Sequence, residues 1–143
     1  MKPRPSNNWE HFSHSAGIGV RGIGPTIEEA FEEAAVALIA MRTDVHALEA
    51  KSFVKVVCEA PNDELLFVDW LNAINHEMAT RGMLFCKFQV ELDRGRLEGT
   101  IWGQPVDFAK RQPAVKVKSA GYTALEVKQR EDGRWIAQCL VDV

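Results

Sequence analysis

Three groups of side chains carry the chemistry this sequence has to offer. The first is Glu10-His11-Phe12-Ser13-His14. Imidazole and hydroxyl groups so close together are the types used in metal ligation and acyl transfer. In an extended segment His11 and His14 point to opposite faces, so they do not share one metal ion. No Gly-x-Ser-x-Gly elbow surrounds Ser13 or Ser15, so a structural or partner-binding role is expected there. The second group is basic: Lys110, Arg111, Lys116 and Lys118. Lys116 and Lys118 share one side of an extended segment. That suits a solvated edge that discourages strand addition, or a contact with phosphate or an acidic partner. The third is Val141-Asp142-Val143. The Asp142 carboxylate stands beside the α-carboxylate of Val143, and two hard anionic oxygens so close suit Ca²⁺ or Mg²⁺. The alternative is an aspartate that is simply solvated at a strand end. No nucleophile–base pair is visible, which argues against an independent enzyme.

Other residues exclude chemistry. Cys58, Cys86 and Cys139 are odd in number, widely spaced and set in apolar or alternating runs. A disulfide framework and a four-ligand zinc site are both disfavoured, and three small buried hydrophobes in a reducing cytoplasm are expected. Gly17, Gly19, Gly22 and Gly24 superficially resemble a phosphate-binding loop. No Gly-Lys-Ser/Thr follows, and these glycines alternate with Ile18, Val20 and Ile23 as in a strand. The chain has 143 residues, 46% hydrophobic and 26% charged, with a net charge of −3. Such values fit one soluble domain and exclude disorder. Mild acidity supplies no overall field for a polyanion, which disfavours a stand-alone nucleic-acid binder. No signal peptide follows Met1, and no run of about 18 apolar residues suggests a membrane span.

The elements that must position these groups follow from local pattern. Residues 1–8, with two prolines, read as a loose lead-in, and residues 9–143 as a single domain. Trp9–His14 and the glycine-punctuated run after it read as strands. Thr26-Ile27-Glu28-Glu29 is a capping box. Beyond it Phe31, Ala34, Ala35 and Leu38 recur at helical spacing, which predicts a helix to about Met41. Ser52–Ala60 is a strand by its β-branched residues. Asn62 is positioned to cap a second helix, whose stripe is Leu66, Trp70, Ile74 and Met78 and whose stop is Arg81-Gly82. Cys86, Phe88, Val90 and Leu92 alternate with polar residues, a strand with one apolar face. Arg94-Gly95-Arg96 turns it into Leu97–Trp102. A loop or short helical turn is expected over Val106–Gln112. Tyr122–Gln129 and Trp135–Val141 are the last strands, joined through Asp132-Gly133. This order implies an α+β fold of two layers, a mostly antiparallel sheet with two helices packed on one face.

Several blocks together resemble the archease family. They are Trp9-Glu10-His11-Phe12-Ser13-His14-Ser15-Ala16, Thr26-Ile27-Glu28-Glu29-Ala30-Phe31, Asp69-Trp70-Leu71-Asn72, Lys118-Ser119-Ala120-Gly121-Tyr122 and Val141-Asp142-Val143. The resemblance implies a small cytoplasmic protein that is no enzyme itself. It would serve as a cofactor of the RtcB-type RNA ligase in tRNA splicing and RNA repair, promoting guanylylation of the ligase's active-site histidine and multiple turnover. RNA would be met only through the ligase. The alternative is a diverged, chaperone-like binding module without metal. The resemblance further implies a calcium site, with Asp142 and Val143 at the terminal ligand positions and His14 at the motif histidine. Gly17 occupies the place of the motif aspartate, so the site loses a carboxylate and calcium should bind weakly or not at all. Gly121 stands where the family commonly has threonine, and Lys110-Arg111-Gln112 lacks a histidine often found there. His14 and Lys118 are the residues expected to reach the partner.

Overall fold

In the computed structural model, which describes residues 8–106 and 119–142, both helices begin at their capping residues. The Thr26 hydroxyl accepts from the Glu29 amide at 3.1 Å and opens α1, Ile27–Ala40. The Asn62 side chain accepts from the Leu65 amide at 2.9 Å and opens α2, Asp63–Arg81. Gly82, at φ +62°, closes α2 in the left-handed conformation that suits glycine.

Among the described residues all strand pairing is antiparallel. The strands are β1 (Trp9–His14), β2 (Gly17–Gly24), β3 (Ser52–Glu59), β4 (Met83–Asp93), β5 (Arg96–Pro105), β6 (Ser119–Ala120), β7 (Glu126–Gln129) and β8 (Trp135–Asp142). They divide between two sheets. In the five-stranded sheet β8 is central, with β2 on one side, β1 beyond β2, and both β6 and β7 on the other side. The second sheet has the order β3-β5-β4. The expected α+β class holds. The pairing is split in two, and each helix packs against strands of both sheets, α1 on β2, β8 and β4, and α2 on β3, β4 and β6.

Close packing follows from small residues. Ala30, Ala34, Ala35 and Ala37 of α1 are fully buried. Gly22 of β2 lies directly beneath them, and a Cβ built there would stand 2.0 Å from the Ala30 carbonyl oxygen. Trp70, Phe31, Phe67 and Phe85 fill the interior.

Two expectations need correction. Cys86 is not in register with Phe88: a bulge between Phe85 and Lys87 leaves it unpaired and half-buried, though still packed against the core. The extra residue restores Phe85, fully buried, to the same side as Phe88. The strand expected over Tyr122–Gln129 forms only from Glu126, and Tyr122 is exposed. Between β6 and β7 the chain still bonds to β8, through Gly121 N to Leu140 O (3.1 Å) and Leu140 N to Thr123 O (3.0 Å). The Asp132-Gly133 turn is present, with Gly133 at φ +87°. Most of the loop expected over Val106–Gln112, and residues 1–7 of the expected lead-in, lie outside the described residues.

Candidate functional site

Register, not sequence proximity, gathers the residues singled out above. His14 pairs with Gly17 across the β1–β2 hairpin. Ile18 pairs with Val141, so the next step of the same register sets Gly17 beside Asp142. Asp142 in turn pairs with Ser119 of β6. One row therefore crosses four strands at one end of the sheet: His14, Gly17, Asp142, Ser119. Lys118 and Val143, expected to join it, lie outside the described residues.

The alternation of strands assigns this row to the face turned away from α1. Val20 and Cys139, paired with each other and fully buried, belong to the inner face. His11 also points inward, where its Nε2 meets the Ala37 carbonyl of α1 at 2.7 Å. The two histidines are therefore divided between faces, as extended geometry requires. Further rows on the outer face hold Phe12, Gly19 and Leu140, then Glu10, Arg21 and Gln138.

Each member of the row has a defined chemistry. The His14 Nδ1 accepts from the Ala16 amide at 3.0 Å, inside the turn that joins β1 to β2. An Nδ1 that accepts leaves the proton of a neutral ring on Nε2, so the outer nitrogen is a donor without a free lone pair. Gly17 sits at φ +144°, a backbone conformation that L side chains rarely adopt, although a Cβ there would meet nothing within 4 Å. The turn thus asks for glycine while leaving room for a side chain. Asp142 is exposed. It is the one carboxylate that the described residues bring to this row.

Among the described residues that donor set is too poor in carboxylates to fit a divalent cation. Calcium takes six to eight oxygens and depends on carboxylate count. Here Gly17 brings no carboxylate to the row and the His14 Nδ1 is committed to its turn. Among the described residues no three His, Cys, Asp or Glu side chains come together as a metal-binding group. The thiols offer no substitute: burial pushes Cys58 up to about 11, helped by the nearby Asp69 charge, and pushes Cys139 up to about 12. All three cysteines are free.

The sequence reading named Asn72 only among the blocks that resemble a family and gave it no role, yet it is the residue that holds the row in place. Asn72 of α2 takes both backbone groups of Ala120: the Ala120 amide donates to Oδ1 at 2.8 Å, and Nδ2 donates to the Ala120 carbonyl at 3.3 Å. The side-chain amide thereby acts as a strand edge for a two-residue strand, fixing Ser119 opposite Asp142. The signal was an asparagine next to the apolar stripe of a helix. Arg21 was also missed. Its Nε donates to the Gln138 Oε1 at 2.8 Å, its Nη1 contacts Glu10, and its guanidinium lies 4.5 Å from the Phe12 ring centroid. It floors an open depression of about 550 Å³ rimmed by Glu126, Lys128 and Arg130, where charges of both signs alternate.

Among the described residues no helix is long and apolar enough to cross a membrane. Comparison with known proteins places the chain and its fold. A model of the Archease protein family matches residues 9–143. Protein archease of Pyrococcus furiosus is 34% identical over 139 residues, covering 94% of this chain and 98% of that protein. Protein archease of Methanopyrus kandleri is 34% identical, covering 94% and 99%. The solution structure of Methanobacterium thermoautotrophicum protein 1598 superimposes with a TM-score of 0.83 at 29% identity, covering 95% of this chain and 99% of that one. A Thermotoga maritima crystal structure, described as an archease and possible chaperone, shares the fold with a TM-score of 0.61 at 16% identity, covering 100% and 98%.

Proposed function

The chain belongs to the archease family, and from that premise we propose that it is a cytoplasmic protein cofactor of an RtcB-type RNA ligase. It promotes guanylylation of the ligase's active-site histidine and supports multiple turnover in tRNA splicing and RNA repair. The observation that carries this reading is the exposed row at the sheet end. It offers a donor at His14, an anion at Asp142 and a hydroxyl at Ser119, and it contains no nucleophile–base pair. Such an end is built to touch another protein's reacting groups rather than to react. Lys118, next in sequence to Ser119, would add a cation for nucleotide phosphate. The ligase holds the RNA during joining, so an acidic chain can act in that chemistry without a general basic surface.

The experiment is label transfer from GTP to the cognate ligase. The unaltered chain should stimulate transfer, and Asp142→Ala should reduce that stimulation about tenfold while leaving the thermal melt unchanged. No stimulation by the unaltered chain removes the cofactor role. Full stimulation by Asp142→Ala removes the terminal row from the mechanism and keeps the role.

A second reading, a chaperone-like binding module without metal, is favoured by the missing carboxylate at Gly17. On the first reading calcium binding is weak, with Kd on the order of 10⁻³ M, because affinity falls with the number of charged ligands. Gly17→Asp should improve calorimetric calcium affinity about tenfold, less whatever the turn loses in abandoning φ +144°. Calorimetry showing no calcium uptake by Gly17→Asp would remove the terminal pair as a metal site.

A further inference from the structure

The outer face of the three-stranded sheet carries a constellation that the row at the other sheet does not use. Its register places Phe53, Trp102 and Lys87 side by side, with Lys55, Thr100 and Gln89 in the next row on that face. The buried side of the same strands is apolar, with Val54, Val56, Phe88 and Ile101 facing the core. Phe53 nevertheless remains 58% exposed. Its ring centroid lies 6.5 Å from that of Trp102, and the Lys87 ammonium sits 4.7 Å from the Trp102 centroid. Neither Lys55 nor Lys87 has an ion-pair partner among the described residues. The far end of the face is different: Arg96 binds Glu59 and Glu98, each at 3.0 Å, and Glu91, opposite Glu98, leaves that end acidic.

We propose that the Phe53–Trp102 pair, with Lys55 and Lys87, is a stacking platform for a short stretch of single-stranded nucleic acid. An exposed aromatic ring on an open sheet takes a base face, here Phe53 backed by the half-buried Trp102, and adjacent lysines take the phosphates. The charge sign matches: two unpaired cations stand at the aromatic end of a chain whose net charge is −3. Size argues the same way. Three strands about 4.8 Å apart and eight residues long present roughly 400 Å², about half of what one partner buries in a standard protein–protein interface. The face is too small to hold a second copy by itself and large enough for one or two nucleotides. Two phosphate contacts also give only weak binding, which accords with the absence of an overall positive field.

The test uses the chain alone, so its failure leaves ligase stimulation untouched. Labelled octauridylate is titrated by fluorescence anisotropy, with the chain's tryptophan emission followed in parallel. Expected are saturable binding with Kd on the order of 10⁻⁴ M at low salt and a log K against log salt slope of about −1.4 for two phosphates. Phe53→Ala should weaken binding about tenfold, in keeping with loss of one stacked base, and Lys55→Gln should flatten the slope. All substituted positions are exposed, so thermal melts should not move. Binding unchanged in Phe53→Ala overturns the proposal, as does no saturation by about 1 mM oligonucleotide. Sedimentation showing a dimer that Phe53→Ala abolishes, without oligonucleotide binding, overturns it in favour of a second copy.

Discussion

Trp70→Ala should be the most damaging single truncation in this chain, costing about 3–5 kcal/mol of folding free energy. The indole is fully buried and joins three elements. Its Nε1 donates to the Phe31 carbonyl of α1 at 3.0 Å, and its ring meets Phe88 of β4 edge-on at 6.2 Å between centroids. The space against Gly99 of β5 exists for it, since a Cβ there would lie 2.5 Å from the Trp70 Cζ3. Truncation removes the transfer free energy and leaves a cavity that the two helices and the β3-β5-β4 sheet cannot jointly collapse. Trp70→Phe should cost markedly less, because the Phe31 carbonyl lies within α1 and does not depend on the indole alone. Urea unfolding of the three proteins checks the order. Trp70→Phe as unstable as Trp70→Ala would show that the hydrogen bond, not packing, is what matters. Asn72 is two residues along the same helix, so Trp70→Ala should also loosen the clamp on Ala120.

Gly22→Ala comes next, at about 3 kcal/mol, the upper part of the range for overpacking. The added methyl would sit 2.0 Å from the Ala30 oxygen and 2.3 Å from the Ala34 nitrogen. Both are helix backbone atoms, which no side-chain rotation can move aside. α1 would have to lift from the sheet, opening the packing of Ala34 and Val20. For a chain of this size that is a fall in Tm of roughly 10 °C. Gly121→Ala is the control, since a Cβ there meets nothing within 4 Å. Calorimetric melts should separate the two; equal melts would mean that α1 yields at little cost.

What could be read in advance was what local chemistry decides. Thr26 and Asn62 cap their helices because capping needs only a side chain and an amide three residues on. The period-two alternation found β4, yet it mistook Cys86, because a bulge shifts the phase by one residue and leaves no mark in hydropathy. The break between β6 and β7 was hidden for a related reason: Gly121 and Thr123 still bond to β8 and so carry strand-like residues without strand geometry. His14, Gly17 and Asp142 were each noticed, His14 and Asp142 partly through family likeness. Their assembly into one row depends on the pairing of β2 with β8, which no local pattern encodes. The roles of Asn72 and of the Phe53–Trp102 pair were overlooked because hydrophobic periodicity counts an asparagine as polar face and an aromatic residue as core.

The central place of β8 has a kinetic consequence. β2 finds its second neighbour only from the far end of the sequence, and the Arg21–Gln138 hydrogen bond spans 117 residues. Until that encounter the β1–β2 hairpin carries an open edge, and the inner face around Val20 has no Cys139 to rest on. Such distant pairing is slow to form, and an unpaired strand edge can recruit the wrong partner in the meantime. The helices and the β3-β5-β4 sheet, built from nearer segments, should gather protection from hydrogen exchange first during refolding. The row at the end of the five-stranded sheet would then be the last part of the molecule to exist.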